Sequence, residues 1–490
     1  MVVYYRKATV RKIFKGLLSL IALALLAVIV LGSIATYLYF RRDRRVSHLD
    51  SMPPPRAGET IIIFAPHEDD EILGTGGYIQ RAVAVGAKVH VVFMTNGEFP
   101  KIDVILFEHS LSKNPQPFIQ LGYMRQQESL RALHFLGVST ANVTFLGYPN
   151  GYLFRMWEPA HWLPHDAVTS ARTLSTHSPY HNSYTLRADY CGQAALDDIE
   201  KILHDVQPDV VIALHPNDIH VDHWPTYAFV QFALQELADR GEGFAAKAHV
   251  YTYLIHHPPW PERQGYSPSL PLLPPASLVQ IQQTDWRRFP LTRAETVRKH
   301  QALAYFHTQG GGYDPLLEAF PRANELFGII PMQFWPALYN VPAKEIIRDP
   351  AADSSNSLTY PNGDILSVTL GLAHNAMTTG IRVYGLVGKN VVYHFELHGG
   401  GVAPADRVFV EYDWSADSIS GLMLRDGQLQ WLDTGSMKIA SSRDVTTMSA
   451  PWPLLGTHDT FFMARAWTTI AHRDAIIDQT AETTLRLSAK

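Results

Sequence analysis

Cysteine is nearly absent: Cys191 is the one in 490 residues. That excludes an intrachain disulfide framework and any cysteine-rich zinc knuckle, and fits either redox compartment. Cys191 itself reads as a small buried hydrophobe on a helix from Ala188 to Asp205. Excess charge is missing too. The formal net charge of −5 offers no basic surface for nucleic acid. There is no internal repeat and no low-complexity tract. Gly74-Thr75-Gly76-Gly77 lacks the third glycine of a Gly-x-Gly-x-x-Gly nucleotide loop, and the acidic residues before it would repel phosphate, so it reads as close helix-to-sheet packing. What the chain has in quantity is apolar side chain, 46% of residues, enough for a large core and, by length, two soluble domains after an N-terminal segment.

Two short polar segments follow buried-looking apolar runs. Thr60-Ile61-Ile62-Ile63-Phe64-Ala65 reads as a buried strand, followed by Pro66-His67-Glu68-Asp69-Asp70-Glu71 and a helix running to about Gly86. Val210 to Leu214, after the breaker Pro208, is a second such strand. It leads into His215-Pro216-Asn217-Asp218-Ile219-His220-Val221-Asp222-His223 and a helix from Trp224 to Arg240. Both segments are thus expected on loops at the carboxyl ends of strands, where open α/β sheets hold their ligands.

Imidazole and carboxylate suit a borderline metal such as zinc, and a catalytic zinc site takes three protein ligands. The available set is His67, Asp70, His220 and His223. Asp69 and Asp222 are candidates to take a proton from metal-activated water. A remaining histidine, if protonated, would stabilise the oxyanion formed on a carbonyl. Acidic residues at a helix start often only cap it. Two such motifs, each after a strand, favour the chemical reading.

The His-x-Asp-Asp-Glu core, as His67 to Glu71, and the Pro-x-Asp-x-His-x-Asp-His core, as Pro216 to His223, resemble the zinc-dependent N-acetylglucosaminyl deacetylases. That family includes the GPI-anchor enzyme PIG-L, the mycothiol-pathway deacetylase and the LmbE-like proteins. Thr95 to Glu98, Arg125 with Glu128, Phe145 to Pro149, and Lys299 with Ala302, Leu303 and Gln309 extend the resemblance over roughly 58–335. It implies a Rossmann-like (LmbE-like) α/β fold, a mostly parallel sheet flanked by helices. It also implies Zn2+ held by His67, Asp70 and His223, Asp69 as general base, His220 as the oxyanion-stabilising histidine, and Asp222 orienting a partner. The implied substrate is an N-acetylated amino sugar, and a membrane anchor before the domain would favour one in a glycolipid or envelope glycan. Two positions depart from the pattern. Glu68 stands where Pro is usual, bringing a charge beside the metal or substrate, and Asn150 where Asp is usual. Glu68, Arg125, Asn150 and Trp157 are expected to contact substrate.

From about Leu17 to Phe40 the chain is apolar and uncharged, with Tyr37, Tyr39 and Phe40 at one end and Arg41-Arg42-Asp43-Arg44-Arg45 beyond. It reads as one transmembrane helix rather than a signal peptide, being longer than an h-region and lacking a clear small-x-small site. Basic residues flank both sides, with a slight preference for a cytoplasmic N-terminus and an exported catalytic domain.

The expected domains are 1–50, a tail and anchor; 55–340, the deacetylase; and 358–490, an all-β accessory domain of sandwich type. The composition shifts at about Val341 to Thr359, where Asp353-Ser354-Ser355-Asn356-Ser357 reads as a linker, and Gly388-Lys389-Asn390 is expected to turn a hairpin between strands Ile381 to Leu386 and Val391 to Leu397. Residues 98–120 and 147–187 read as loops, the second rich in aromatics that would stack on sugar rings or pack the loop down. His256 and His257 are expected at the rim. Two other readings keep the fold: a zinc amidohydrolase of a different N-acyl substrate, and a membrane-tethered carbohydrate-binding protein without catalysis.

Overall fold

The computed structural model describes residues 49–98, 114–257, 259–261, 265–310, 314–336, 341–353, 356, 359–373, 376–451, 460–473 and 475–488, with scattered positions between 23 and 33. The chain divides into two compact units, Met1–Asp50 and Ser51–Lys490. In the first, the described positions between 23 and 33 are helical, and Leu23, Leu25, Leu26, Val28, Ile29, Val30 and Leu31 are exposed. No described helix is long and apolar enough to cross a membrane. The rest of the expected 17–40 span lies outside the described residues.

The second unit begins with alternating strands and helices: β1 (Thr60–Ala65), α1 (Asp70–Val85), β2 (Lys88–Thr95), α2 (Gln116–Leu136), β3 (Val143–Tyr148), α3 (Leu153–Trp157), α4 (Gly192–Val206), β4 (Val210–Leu214), α5 (His223–Asp239), β5 (His249–Tyr253), β6 (Asp285–Pro290), α6 (Arg293–Leu303) and β7 (Asn324–Ile329). In the sheet they run β6-β7-β5-β4-β1-β2-β3. Strands β5 to β3 along this row are parallel, and β7 joins β5 and β6 antiparallel. Ile61, Ile62, Ile63, Val211 and Ile212 are all fully buried, as an uninterrupted apolar run requires when helices cover both faces. Of the long loop expected at 98–120, residues 99–113 lie outside the described residues and α2 already starts at Gln116.

Strand order reverses at β1, with β2 on one side and β4 on the other. The loops leaving β1 and β4 therefore diverge at their carboxyl ends and open a crevice there. The glycine stretch on α1 lets that helix lie close: a Cβ on Gly74 would come within 2.1 Å of the Tyr253 ring, and one on Gly77 within 2.3 Å of Leu291. Helix-to-sheet packing is thus the role of these glycines.

The remainder is all β: β8 (Gln333–Pro336), β9 (Val341–Arg348), β10 (Ile365–Ala373), β11 (Ala376–Val383), β12 (Val391–Gly400), β13 (Val408–Trp414), β14 (Ile419–Arg425), β15 (Gln428–Trp431), β16 (Lys438–Ser442), β17 (Val445–Pro451), β18 (Phe461–Ile470), β19 (Ala475–Gln479) and β20 (Thr483–Ser488). One sheet runs β9-β10-β11-β17-β16 and the other β15-β14-β13-β12-β18-β20-β8, with β19 also on β18. Val341–Arg348, at the start of the composition shift, forms the strand β9, paired with β10; of the expected linker 353–357, residues 354, 355 and 357 lie outside the described residues. One expectation fails here. Gly388-Lys389-Asn390 does not turn a hairpin, because β11 pairs with β10 and β17 while β12 pairs with β13 and β18, in the other sheet. Local alternation shows that a segment is a strand and is silent on its partner.

The larger sheet is apolar on both faces. Val408, Val410, Tyr412, Phe462 and Ala464 join the core between the sheets. Their neighbours Phe409, Phe461 and Met463, with Leu424, join Trp157, Trp162, Phe229 and Phe232 in a core shared with the α/β part. Each such large side chain contributes on the order of 1.5–3 kcal/mol. Beside this core, Arg407 donates two hydrogen bonds to Glu236 on α5, at 2.9 and 2.6 Å, both residues being buried. The two parts are therefore packed as one unit.

Candidate active site

The β1 and β4 loops meet in a cleft of about 430 Å³ lined by His67, Asp69, Asp70, Leu73, Arg125, Asn150, His220, His256 and Gln309 among others. A groove of about 500 Å³ at the amino ends of β1 and β4 is larger, but its walls, among them Arg56, Glu59, Asp209 and Lys247, hold no comparable cluster.

His67 Nδ1, Asp70 Oδ2 and His223 Nε2 form a triangle with edges of 3.2, 3.1 and 3.3 Å. Two carboxylates behind it set the tautomers. His67 Nε2 lies 3.0 Å from Asp222 Oδ2 and His223 Nδ1 lies 3.1 Å from Asp218 Oδ2. Each imidazole donates its one N–H backward, so its lone pair faces the triangle. Two lone pairs and a carboxylate oxygen at this spacing fit a cation with ligand bonds of about 2.0–2.2 Å. Without one, the surroundings demand positive charge from protons. Burial pushes His67 down, yet its hydrogen bonds to Asp222 and Asp70 outweigh this and raise it to about 9. His223 is also held well above its ordinary value, burial being outweighed by Asp218 and Asp70.

Asp222 is pinned by the N–H groups of Leu153 and Gly151, at 3.0 and 2.6 Å, and lies behind His67 rather than on the cleft wall. Asp69 does line the cleft. It precedes α1 at φ 126°, a strained conformation for a residue with a side chain, and its N–H donates to Glu71 Oε2 at 3.0 Å. The ring of His220 lies 4.7 Å from that of His67 and 4.6 Å from that of His223, and the three histidines bring ligand atoms within 4.8 Å of one another. Its Nδ1 accepts the Asp222 N–H at 3.2 Å. Burial and the two neighbouring imidazoles push its pKa down to about 3. With Nδ1 as an acceptor, the proton that His220 carries lies on Nε2.

Asp218 is the residue that sequence reasoning passed over. It stands inside the Pro216 to His223 motif, but its task depends on a partner's tautomer. Besides His223 it accepts the N–H groups of Ile255 and His256, at 3.0 and 2.9 Å. These bonds hold its carboxylate against the cost of burial, to the low side of its ordinary range. Asp218→Asn is expected to weaken metal binding about 10–100-fold with the fold retained, as read by competition with a chromophoric chelator. Unchanged affinity would remove the positioning role.

The four residues expected to contact substrate separate. Asn150 and Arg125 line the cleft. Arg125 is held by the carbonyls of Gly97 and Glu68, at 2.5 and 3.1 Å, and its Nε lies 3.6 Å from Glu68 Oε2. Glu68 is fully buried and does not line the cleft, so the expected contact with metal or substrate fails. Trp157 fails likewise. It is fully buried, with ring centroids 4.5 Å from His398 and 4.9 Å from Phe229, because an aromatic on a short helix between two domains is worth more as core than as cleft wall. Trp162 and Tyr180 are buried too. His256 lines the cleft, and His257 hydrogen-bonds Ser277 at 3.0 Å.

Burial raises Glu68 to about 8 despite Arg125, and among the described residues neither carboxylate oxygen has a hydrogen-bond donor. With an unfolded value near 4.5 and a folded one near 8, the native state binds more protons between these limits, and stability falls as pH rises through the window. Glu68→Gln should therefore raise the Tm measured at pH 8 and leave it little changed at pH 4.5. An equal shift at both values would exclude the buried charge as its cause.

Fold and site together define an α/β protein whose metal-type centre sits with an acid/base carboxylate at the strand-order reversal. Residues 62–234 match the family PIG-L: GlcNAc-PI de-N-acetylase. Two curated relatives, the 1D-myo-inositol 2-acetamido-2-deoxy-alpha-D-glucopyranoside deacetylases of Mycobacterium sp. strains KMS and JLS, are 32% identical over 178 residues, 36% of this chain and 50% of theirs. The chain thus spans half the length of these relatives. Among solved structures, the N,N'-diacetylchitobiose deacetylase of Pyrococcus horikoshii is 18% identical, with a TM-score of 0.31 over 56% of this chain and 84% of that one. The 4-carboxy-2-hydroxymuconate hydratase GalB of Pseudomonas putida KT2440 is 16% identical, with a TM-score of 0.33 over 56% of this chain and 97% of that one.

Proposed function

We propose that this protein is a zinc-dependent N-deacetylase that removes acetyl from an N-acetylated amino sugar of a glycolipid or envelope glycan. The observation that carries the reading is the triangle of His67, Asp70 and His223, with both imidazole N–H groups directed away, beside Asp69 and His220 in one cleft. Zinc held there supplies Lewis-acid polarisation of the acetamide and acidifies the attacking water. Asp69 takes the water's proton and returns it to the departing amine. The Nε2–H of His220 donates to the oxygen of the tetrahedral intermediate. Leu73, Leu316 and Leu317 offer an apolar wall, with Asn150 and Arg125 as polar contacts. The sugar class is supported by the substrates that the mycobacterial relatives' names state.

The proposal includes residues 17–40 as a single-pass anchor that leaves the catalytic unit outside the cytoplasm. It is supported by the uncharged apolar run, its basic flanks and the exposed leucines and valines of its described part. The test is acetate release from N-acetylglucosamine glycolipids and oligosaccharides by the zinc-loaded full chain in detergent, with protease accessibility in sealed vesicles for the topology. Saturable release supports the reading. No release from any acetamido sugar, with zinc bound, would overturn the substrate class and leave another N-acyl amide or glycan binding.

A further inference from the structure

The all-β part holds a second cluster of ligating side chains, remote in sequence from the cleft. Asp349 follows β9 and Asp364 precedes β10 in the smaller sheet, Asp353 lies in the connection between them, and Asp478 is on β19, against the larger sheet. Asp349, Asp353 and Asp478 bring ligand atoms within 4.8 Å of one another. Asp349, Asp364 and Asp478 are only 4%, 1% and 3% exposed. Backbone donors reach Asp364, from Ala352 N at 3.2 and 2.9 Å, and Asp478, from Ile365 N at 2.7 Å. Among the described residues no donor reaches Asp349 Oδ2 or Asp353 Oδ1, although both atoms are buried.

Such an arrangement is costly as it stands. A buried carboxylate requires a hydrogen-bond donor or a counter-charge, and the charges acting on Asp349 are those of Asp478, Asp353 and Asp364, all negative. Burial and these neighbours hold Asp349 and Asp478 well above the usual carboxylate range. What the site lacks is a cation. We infer that Asp349, Asp353 and Asp478, with Asp364 beside them, form a calcium site that ties the two sheets of the β part together.

The donor set decides the ion. All-oxygen carboxylate ligands suit a hard cation that accepts irregular coordination, which is calcium, whereas the imidazole-containing cleft suits zinc. The sites are thus separable by metal preference. Asp478 and Asp349 come from different sheets, so the ion would act as a cross-link whose loss loosens β9 and β19.

The test uses the full chain, stripped with chelator, dialysed, reloaded with one equivalent of zinc and titrated with calcium chloride by calorimetry, with Tm read in parallel. Wild type should bind one calcium per chain without losing zinc, and its Tm should rise by about 3 °C at a hundredfold excess over Kd. Asp349→Asn should lose the calcium heat and the Tm rise while keeping its zinc. Its calcium-free Tm should equal or exceed that of calcium-free wild type, since one buried charge is gone. Should that variant fail to fold, Asp353→Asn, in the connection, takes the same measurements. Absence of saturable calcium binding and of any Tm shift in wild type, or their persistence in the folded variant, would overturn the site.

Discussion

Asp69→Ala is expected to lower kcat for acetate release by about 10²–10⁴-fold, the range of a lost general acid/base, while zinc content stays at one per catalytic site. The argument is geometric. Asp70 completes the ligand triangle at 3.2 and 3.3 Å, and Asp222 is taken up by His67 and two backbone N–H groups. Of the three neighbouring aspartates, Asp69 is left to face the cleft without a place in the triangle. Its backbone is held at φ 126°, and strain of this kind survives where the surroundings over-determine a side chain's direction. KM should change little, because a base acts on the attacking water rather than on the bound sugar. Full activity in the variant, or loss of zinc with activity, would move the base elsewhere.

Trp157→Ala is expected to cost about 3–5 kcal/mol of folding stability, as for a large aromatic removed from a close-packed core. The indole stacks on His398 from β12 and meets Phe229 and Phe232 from α5 edge-on. The cavity left would lie where the α/β and β parts share one apolar cluster. Guanidinium unfolding checks this, with KM of the folded fraction expected to match wild type. A raised KM with undiminished stability would instead return Trp157 to the sugar-stacking role that its aromatic-rich loop suggested.

How far the sequence could be read depended on where the information lies. Thr60–Ala65 and Val210–Leu214 are found as strands with the expected bounds, because an apolar run ended by a breaker is a local signal that burial on both faces reinforces. The strands around Gly388-Lys389-Asn390 were equally legible as strands. Their assignment to different sheets was not, since pairing depends on β13, β17 and β18, dozens of residues away. Val341–Arg348 shows the same limit: the sequence marks only a shift in composition there, and it is β10 beside it that makes it an edge strand.

The site divides along the same line. The sequence by itself determined the chemistry, because residue type and spacing on two loops after strands specify which donors are available, and His67, Asp70 and His223 do meet. Only the tertiary structure decided the roles of their supports. It gave Asp218 and Asp222 the two tautomers to set, placed the His220 proton on Nε2, withdrew Glu68 and Trp157 from the cleft, and gathered Asp349, Asp353 and Asp478 from two sheets. The physical reason is range. Donor chemistry and strand propensity belong to a residue and its near neighbours, whereas burial, tautomer and counter-charge are set by groups that only the fold brings within a few ångströms.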